Sequence, residues 1–157
     1  MRNICGWTKE DLKTIREFIK GINKEITLRI SPVGEWHCRL MQYKLFLGNK
    51  KKPKEEDIIW NKWYHEQKFY IGEVNTRVIS LLHEIGHYQT FNVEEWELRN
   101  KQVNEYLDQY YDYKIELEEL NFKYWNTTNE YKATQWAIEY YKTHKAQCEE
   151  LAKQLKL

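Results

Sequence analysis

Cysteine is scarce in this chain, and its thiols are far apart. Cys5, Cys38 and Cys148 are odd in number and form no CxxC pair. They therefore exclude a disulfide framework and a cysteine-rich metal site, and we expect reduced thiols. Glycine and proline are also few, whereas the chain has 7 Trp, 12 Tyr and 5 Phe. Aromatic rings must therefore supply much of the core volume, or line a cleft for a peptide or a base.

Long apolar runs and an excess of one charge are missing as well. No run approaches the roughly 20 apolar residues that span a bilayer. Residues 1–7 lack the apolar core of a signal peptide, so we expect a cytoplasmic protein that has no membrane partner. The 25 Lys and Arg nearly balance the 24 Asp and Glu. A nucleic-acid partner is therefore not expected, and the basic cluster Lys50–Lys54 is interpreted as a solvated loop, with a phosphate contact as the alternative.

The length of 157 residues predicts one domain over residues 1–157. Hydrophobic periodicity predicts that it is an α+β domain, with strands and several helices. Residues 1–91 hold a first helix, the sheet and the central helix, and residues 92–157 are helical. The predicted helices are 8–22, 76–90 and 129–154, with 94–122 as one long helix or a hairpin of two. The predicted strands are 25–30, a long or bulged strand over 36–47, and 68–74, whereas 58–64 fits a helix or a strand.

The central helix carries the sequence His83-Glu84-Ile85-Gly86-His87. Two histidines four residues apart lie about 40° apart around a helix axis, so both imidazoles can reach one zinc ion. Glu84 lies about 100° further round, where it fits a general base on zinc-bound water better than a ligand. Gly86 in mid-helix indicates a close approach of another backbone or of a substrate. Apolar residues on the opposite side predict the core-facing stripe: Val78, Leu81, Leu82 and Ile85.

A catalytic zinc site needs a third protein ligand and one open position. None of His37, His65 and His144 follows the motif at the short spacing of a third histidine ligand, so a carboxylate from a later helix is the other solution. Glu130 is the candidate, because small residues share its helical face and allow that helix to pack closely: Ala133, Thr134 and Ala137. Glu130 could instead only stabilise a helix N-terminus. Four glutamates without such a face compete for the role: Glu94, Glu116, Glu118 and Glu119.

The His83–His87 motif and the later Glu130-x-x-Ala133-x-x-Trp136-Ala137 resemble the gluzincin metallopeptidases, in particular the small ImmA/IrrE-type branch. The resemblance implies a minimal zincin-like domain, in which a short antiparallel or mixed sheet packs on the motif helix. It also implies that His83, His87 and Glu130 hold Zn²⁺ and that Glu84 is the general base. Trp136 stands where that branch usually has Phe. The 42 residues between His87 and Glu130 (88–129) exceed the expected interval, so residues 94–122 are interpreted as an inserted helical element.

The expected activity is zinc-dependent hydrolysis of a protein or peptide, by an endopeptidase rather than an exopeptidase. The resemblance implies a specific cytosolic substrate, such as a repressor or another regulator. Three alternatives remain open. The chain could be a zinc-binding but non-catalytic interaction or regulatory module, a nucleic-acid-associated protein that uses Lys50–Lys54, or a structural helix pair without stoichiometric metal. Four side chains are candidates to stabilise the oxyanion: Tyr88, Tyr131, Tyr141 and His144.

Overall fold

The computed structural model describes residues 5–51 and 75–157, which form a helix-rich α+β fold. Within these ranges the helices are α1 (Lys9–Ile22), α2 (Thr76–Gln89), α3 (Val93–Tyr111), α4 (Leu117–Trp125), α5 (Thr128–Thr143) and α6 (Lys145–Leu155). The strands are β1 (Thr27–Ile30), β2 (His37–Arg39) and β3 (Lys44–Leu47). In the part of the chain that is described, no helix is long and apolar enough to cross a membrane. The predictions for 58–64, 68–74, Lys52, Lys54 and His65 lie outside these ranges.

Helix α1 begins where the sequence predicted, at the N-cap residue Thr8. The Thr8 hydroxyl accepts a hydrogen bond from the Asp11 backbone N–H, and the Asp11 carboxylate accepts one from the Thr8 N–H in return. This capping box satisfies two amides that a helix start leaves without partners. Asp11 also forms an ion pair with Lys50, with 2.8 Å between Nζ and Oδ2. The first helix is thereby joined to the chain that leaves the sheet.

We expect Asp11→Asn to destabilise the fold by about 1 kcal/mol at pH 7, because it removes a charged acceptor from both contacts. Burial raises the pKa of Asp11, but the bonds from Lys50 and Thr8 outweigh it and hold the pKa below 3.8. A carboxyl with a depressed pKa contributes stability above its unfolded pKa and loses that stability as the pH falls through its folded pKa. Urea denaturation should therefore separate the variant from wild type at pH 7 and not near pH 2.

Glu10→Gln is the matched control, because Glu10 is an exposed acid in the same helical turn. It should leave the unfolding free energy within about 0.5 kcal/mol of wild type at both pH values. An Asp11→Asn penalty that persisted undiminished in acid would contradict the electrostatic explanation.

The sheet is mixed, with strand order β1-β3-β2. Strand β1 runs parallel to β3 and pairs Leu28 with Leu45, and β2 runs antiparallel to β3 and pairs Cys38 with Leu45. Residues directly opposite in neighbouring strands share a face of the sheet. Leu28 and Leu45 are buried on that face. The register therefore places the Cys38 side chain on the core side, at the β2 end of the sheet.

The prediction of one long strand over 36–47 was wrong. A single 3-10 turn, Leu40–Gln42, separates β2 from β3 and reverses the chain. Tyr43 closes the turn with a φ of 49°, in the left-handed region that non-glycine residues seldom adopt. The apolar alternation continues on both sides of the turn, and no Gly, Asn or Asp marks it. Periodicity alone could not show the reversal.

Helix α2 is the centre of the fold and is buried on every side from Arg77 to His87. Its predicted stripe of Val78, Leu81, Leu82 and Ile85 is 0–2% exposed. The helix contacts β2 and β3 of the sheet and packs most extensively against α5. At the α5 contact, a Cβ on Gly86 would lie 2.5 Å from the Ala133 carbonyl oxygen. The glycine therefore allows the backbones of α2 and α5 to touch, as its mid-helix position predicted.

In residues 92–157 the structure decides between the two alternatives for 94–122 and divides the predicted last helix in two. Residues 94–122 form the hairpin of two helices, α3 and α4, with Tyr113 at a φ of 55° between them. The predicted single helix over 129–154 was wrong, because the chain breaks at His144. There the Thr143 hydroxyl donates to the Glu139 and Tyr140 carbonyls, which competes with continuation of the helix. Helix α6 then folds back against α1.

Candidate metal centre and its cleft

The two motif histidines project together from α2. Asn75 starts this helix, since its side chain accepts hydrogen bonds from the N–H groups of Arg77 and Val78. Two turns later the rings of His83 and His87 lie edge to face, with centroids 4.7 Å apart. Both histidines are buried, at 7% and 6% exposed. The one-turn spacing therefore brings two imidazoles to the same point inside the protein.

Helix α5 brings Glu130 to that point. Its Oε2 lies 3.2 Å from the His83 Nε2 and 3.4 Å from the His87 Nε2. The approach depends on the small face that the sequence showed, because Ala133, Thr134 and Ala137 are fully buried against α2. Glu130 is one turn before Ala133, the residue whose backbone touches Gly86. The close helix contact thus fixes the distance between the carboxylate and the histidines.

The distances from Glu130 to the two histidines fit a zinc ion. Bonds of about 2.0–2.1 Å to a tetrahedral metal separate its ligand atoms by roughly 3.3–3.4 Å. The distances of 3.2 and 3.4 Å from the Glu130 oxygen to the two imidazole nitrogens agree with this separation. Each histidine offers one ring nitrogen and Glu130 offers one carboxylate oxygen, and these three atoms lie within 4.8 Å of one another. The donor set is the two-histidine, one-glutamate type that leaves a fourth position open.

Thr134 supports this arrangement from α5. Its hydroxyl lies 2.9 Å from the His83 Nδ1, on the ring atom opposite to the one that faces Glu130. A histidine that binds a metal through Nε2 carries its proton on Nδ1 and donates it to such an oxygen, which fixes the tautomer and the ring orientation. Thr134 is fully buried, so this hydrogen bond is shielded from water. The sequence indicated Thr134 only as a small residue on the packing face.

The negative charge at the centre is on Glu130. Burial raises the pKa of this carboxyl, but the facing His87 and His83 outweigh burial and hold the pKa well below 4.5. Glu130 is therefore ionised at neutral pH, which is the form that binds a metal.

Glu84 has the opposite character. Burial raises its pKa to about 7, and the charge of Glu130 adds to this effect, while His83 and a hydrogen bond with Cys38 oppose it. A carboxyl with a pKa near neutrality can both accept and release a proton, as a general base that later acts as an acid must do. The two carboxyl groups beside the histidines, Glu84 and Glu130, thus have pKa shifts of opposite sign.

Cys38 lies beside the centre and defines a second, overlapping group of potential ligands with Glu84 and His87. Burial and the carboxylates of Glu84 and Glu130 raise the pKa of the Cys38 thiol, so it keeps its proton at neutral pH. We favour the group that contains Glu130, because its distances to the two histidines match a zinc centre. In the metal-free chain, Cys38 is a hydrogen-bond partner of Glu84.

The centre opens into a cleft of about 920 Å³. Three tryptophans contribute to its wall: Trp36, just before β2, Trp96 on α3, and Trp125 at the end of α4. None of the four predicted oxyanion-stabilising residues lines this cleft. Tyr88 donates to the Lys44 carbonyl, Tyr141 accepts from the Asn75 N–H, and His144 is exposed and stacks on Tyr140. These three side chains are therefore occupied elsewhere.

Arg99 and Tyr124 line the cleft instead, and the sequence did not indicate either of them. Arg99 Nη2 donates to the Tyr124 hydroxyl at 2.7 Å and lies 3.5 Å from the Glu130 Oε1. Burial raises the pKa of Tyr124, and the charge of Glu130 raises it further, so the phenol remains protonated. These residues come from α3 and α4, 25 positions apart, and no local pattern could have joined them.

The competing ligands predicted from the sequence do not reach the centre. Glu94, Glu116, Glu118 and Glu119 are all exposed. His37 stacks on Phe46 at the sheet, with ring centroids 4.4 Å apart, and points to no group of potential ligands that the described residues form.

Comparisons with known proteins leave the site to be interpreted from its own geometry. No model of a protein family, no characterised protein and no solved structure matches the chain.

Proposed function

We propose that this chain is a zinc-dependent peptidase of the gluzincin type, with a minimal zincin-like fold. The observation that carries the proposal is the position of the Glu130 Oε2, 3.2 Å from the His83 Nε2 and 3.4 Å from the His87 Nε2, which is about the separation of two ligand atoms on a tetrahedral zinc. Their position beside Glu84, at the wall of a wide cleft, adds the general base and the space for a peptide. His83, His87 and Glu130 would hold the ion.

A zinc ion held there would polarise the scissile carbonyl and lower the pKa of a bound water toward about 7. Glu84 accepts a proton from the attacking water on its carboxylate and delivers it to the leaving amine. Thr134 keeps the His83 ring in place through Nδ1. The aromatic walls exclude water and contact the apolar side chains of a peptide. We propose a specific cytosolic protein, such as a regulator, as the substrate of this endopeptidase.

Zinc content is the measurement that tests the proposal first. We expect one zinc per chain in the wild-type protein after refilling with zinc and dialysis, and loss of that zinc in His83→Ala, His87→Ala and Glu130→Ala. Each substitution removes one of the three proposed ligands of the ion. Atomic absorption on purified protein gives the stoichiometry, and circular dichroism checks that each variant remains folded.

Two control variants separate this site from its rivals. Glu94→Ala removes an exposed glutamate and should keep the zinc. Cys38→Ser should keep it too, because the thiol belongs only to the overlapping group. Zinc that is lost in Cys38→Ser and retained in Glu130→Ala would assign the metal to that other group. A wild-type chain that takes up no zinc would favour the remaining alternative, in which α2 and α5 are a structural helix pair without metal.

A non-catalytic interaction module is the second candidate function, and the α3–α4 hairpin favours it. Neither helix contains a buried residue. Large apolar side chains are exposed on the hairpin: Leu98, Tyr111, Tyr113, Leu117 and Phe122. Where such side chains form one patch, they are typical of a partner interface. A zinc-loaded chain that cleaves no member of a mixed peptide library, with new termini read by mass spectrometry, would favour this alternative.

A further inference from the structure

The two oxygens of Glu130 face different parts of the molecule. Oε2 faces His83 and His87, whereas Oε1 faces Arg99 of helix α3 at 3.5 Å. A glutamate that binds zinc through one oxygen is typically oriented by a hydrogen-bond partner on the other. At Glu130 the cation of Arg99 occupies that position. The carboxylate is 5% exposed, so water has little access to take the place of the guanidinium.

Arg99 is itself held in a fixed orientation. Its guanidinium carbon lies 5.1 Å from the centre of the Trp96 ring and 4.9 Å from that of Tyr124. Stacking on aromatic rings and the bond from Nη2 to the Tyr124 hydroxyl restrain a side chain that would otherwise be flexible. Asn100 accepts a further bond from Nη1. The cation is therefore oriented before a metal arrives.

All of these partners except Glu130 belong to the hairpin. Arg99 and Trp96 lie on α3, and Tyr124 lies on α4. The same hairpin is tied to α5 at a second place, where Lys132 forms an ion pair with Glu95. The Lys132–Glu95 contact fixes the hairpin to α5 without touching Glu130. The structure thus offers two contacts of the same interface, of which only one reaches the metal centre.

We propose that Arg99 is a positioning residue for Glu130, and that the α3–α4 hairpin orients the third metal ligand through it. This inference rests on the proposed zinc site. Arg99 holds the Oε1 of Glu130 and leaves Oε2 directed at the two histidines. The helical element between the motif and its third ligand then sets the metal affinity, and any displacement of the hairpin releases the carboxylate.

The test compares zinc affinity in Arg99→Ala, Arg99→Lys and Lys132→Ala, by competition with a chromophoric chelator. We expect Arg99→Ala to bind zinc 10- to 100-fold more weakly than wild type, the usual effect of removing a group that orients a ligand. Arg99→Lys should recover part of the loss, since it restores the charge but not the planar donor fork. Lys132→Ala should bind as wild type does, because it weakens the same interface away from Glu130.

Cobalt(II) supplies a readout that general destabilisation would not change. At saturating cobalt, the visible absorption of Arg99→Ala should differ from wild type, because Glu130 reorients, whereas that of Lys132→Ala should not. Equal zinc affinity in Arg99→Ala and wild type would overturn the role of Arg99 but leave the proposed zinc site intact. An equal loss in Arg99→Ala and Lys132→Ala would overturn it as well, in favour of general docking of the hairpin. A wild-type chain without zinc would overturn both this inference and the proposed function.

Discussion

Replacing Glu84 with glutamine is expected to reduce peptide hydrolysis by roughly 10²–10⁴-fold while zinc remains bound. The amide keeps the size and polarity of the carboxyl but cannot accept a proton from water. Glu84 belongs to none of the contacts among His83, His87 and Glu130, so the zinc content should stay at one per chain. Cleavage of a mixed peptide library, followed by mass spectrometry, measures the rate beside the metal content of the same preparation.

The fold should tolerate this substitution well. In the metal-free chain burial raises the pKa of Glu84 to about 7. The native carboxyl therefore keeps its proton to a higher pH than the unfolded chain does, and stability falls as the pH rises from about 4.5 to 7. Glutamine has no charge to desolvate. Glu84→Gln without metal should thus be at least as stable as wild type at pH 8, so a loss of turnover cannot be attributed to unfolding.

Glu139→Gln provides the matched control for chemistry, because it makes the same change at an exposed position on α5, where the carboxylate pairs with Lys142. It should retain wild-type turnover. If Glu84→Gln cleaved the library as fast as Glu139→Gln does, Glu84 would not be the base and the proposed mechanism would be wrong. If neither variant nor wild type cleaved any peptide, the zinc-binding interaction module would be the better interpretation.

The parts of the fold that the sequence predicted are those set by local spacing. Residues four apart lie on the same side of any helix, so the prediction of α2 is enough to bring His83 and His87 together. The small face of Glu130, Ala133 and Ala137 likewise follows from helical periodicity. Thr8 and Asn75 cap their helices through bonds to amides two or three residues away. Each of these features lies within about one or two turns of chain.

The features that the sequence does not predict depend on contacts between distant residues or on an unusual backbone conformation. Tyr43 adopts a left-handed conformation without the Gly or Asn that signals one, so the sequence predicts one strand where the structure has two. The break at His144 has no Gly or Pro either. Arg99 meets Glu130 across 31 positions, and Cys38 meets Glu84 through the sheet register. Helical periodicity describes which face a residue occupies, but not which distant side chain it meets.

Gly86→Ala should destabilise the fold by about 1–3 kcal/mol, although alanine is the better helix former by about 1 kcal/mol. The new Cβ would lie 2.5 Å from the Ala133 oxygen and 3.1 Å from the Ala133 Cα. These are backbone atoms of α5, so no side-chain rotation can relieve the overlap, and the two helices must move apart. Glu130 lies one turn from Ala133 and should move with it. Zinc affinity is therefore expected to fall together with the unfolding free energy.

Gly21→Ala isolates the cause, because Gly21 is also a helical glycine and nothing lies within 4 Å of the position of its Cβ. There alanine should stabilise the chain by about 0.5–1 kcal/mol, through helix propensity alone. Urea denaturation of the two variants should thus give opposite signs, and only Gly86→Ala should change the zinc affinity. If both alanines stabilised the chain equally, α2 and α5 would not be in backbone contact. The short distances from Glu130 to the two histidines would then lose their structural basis.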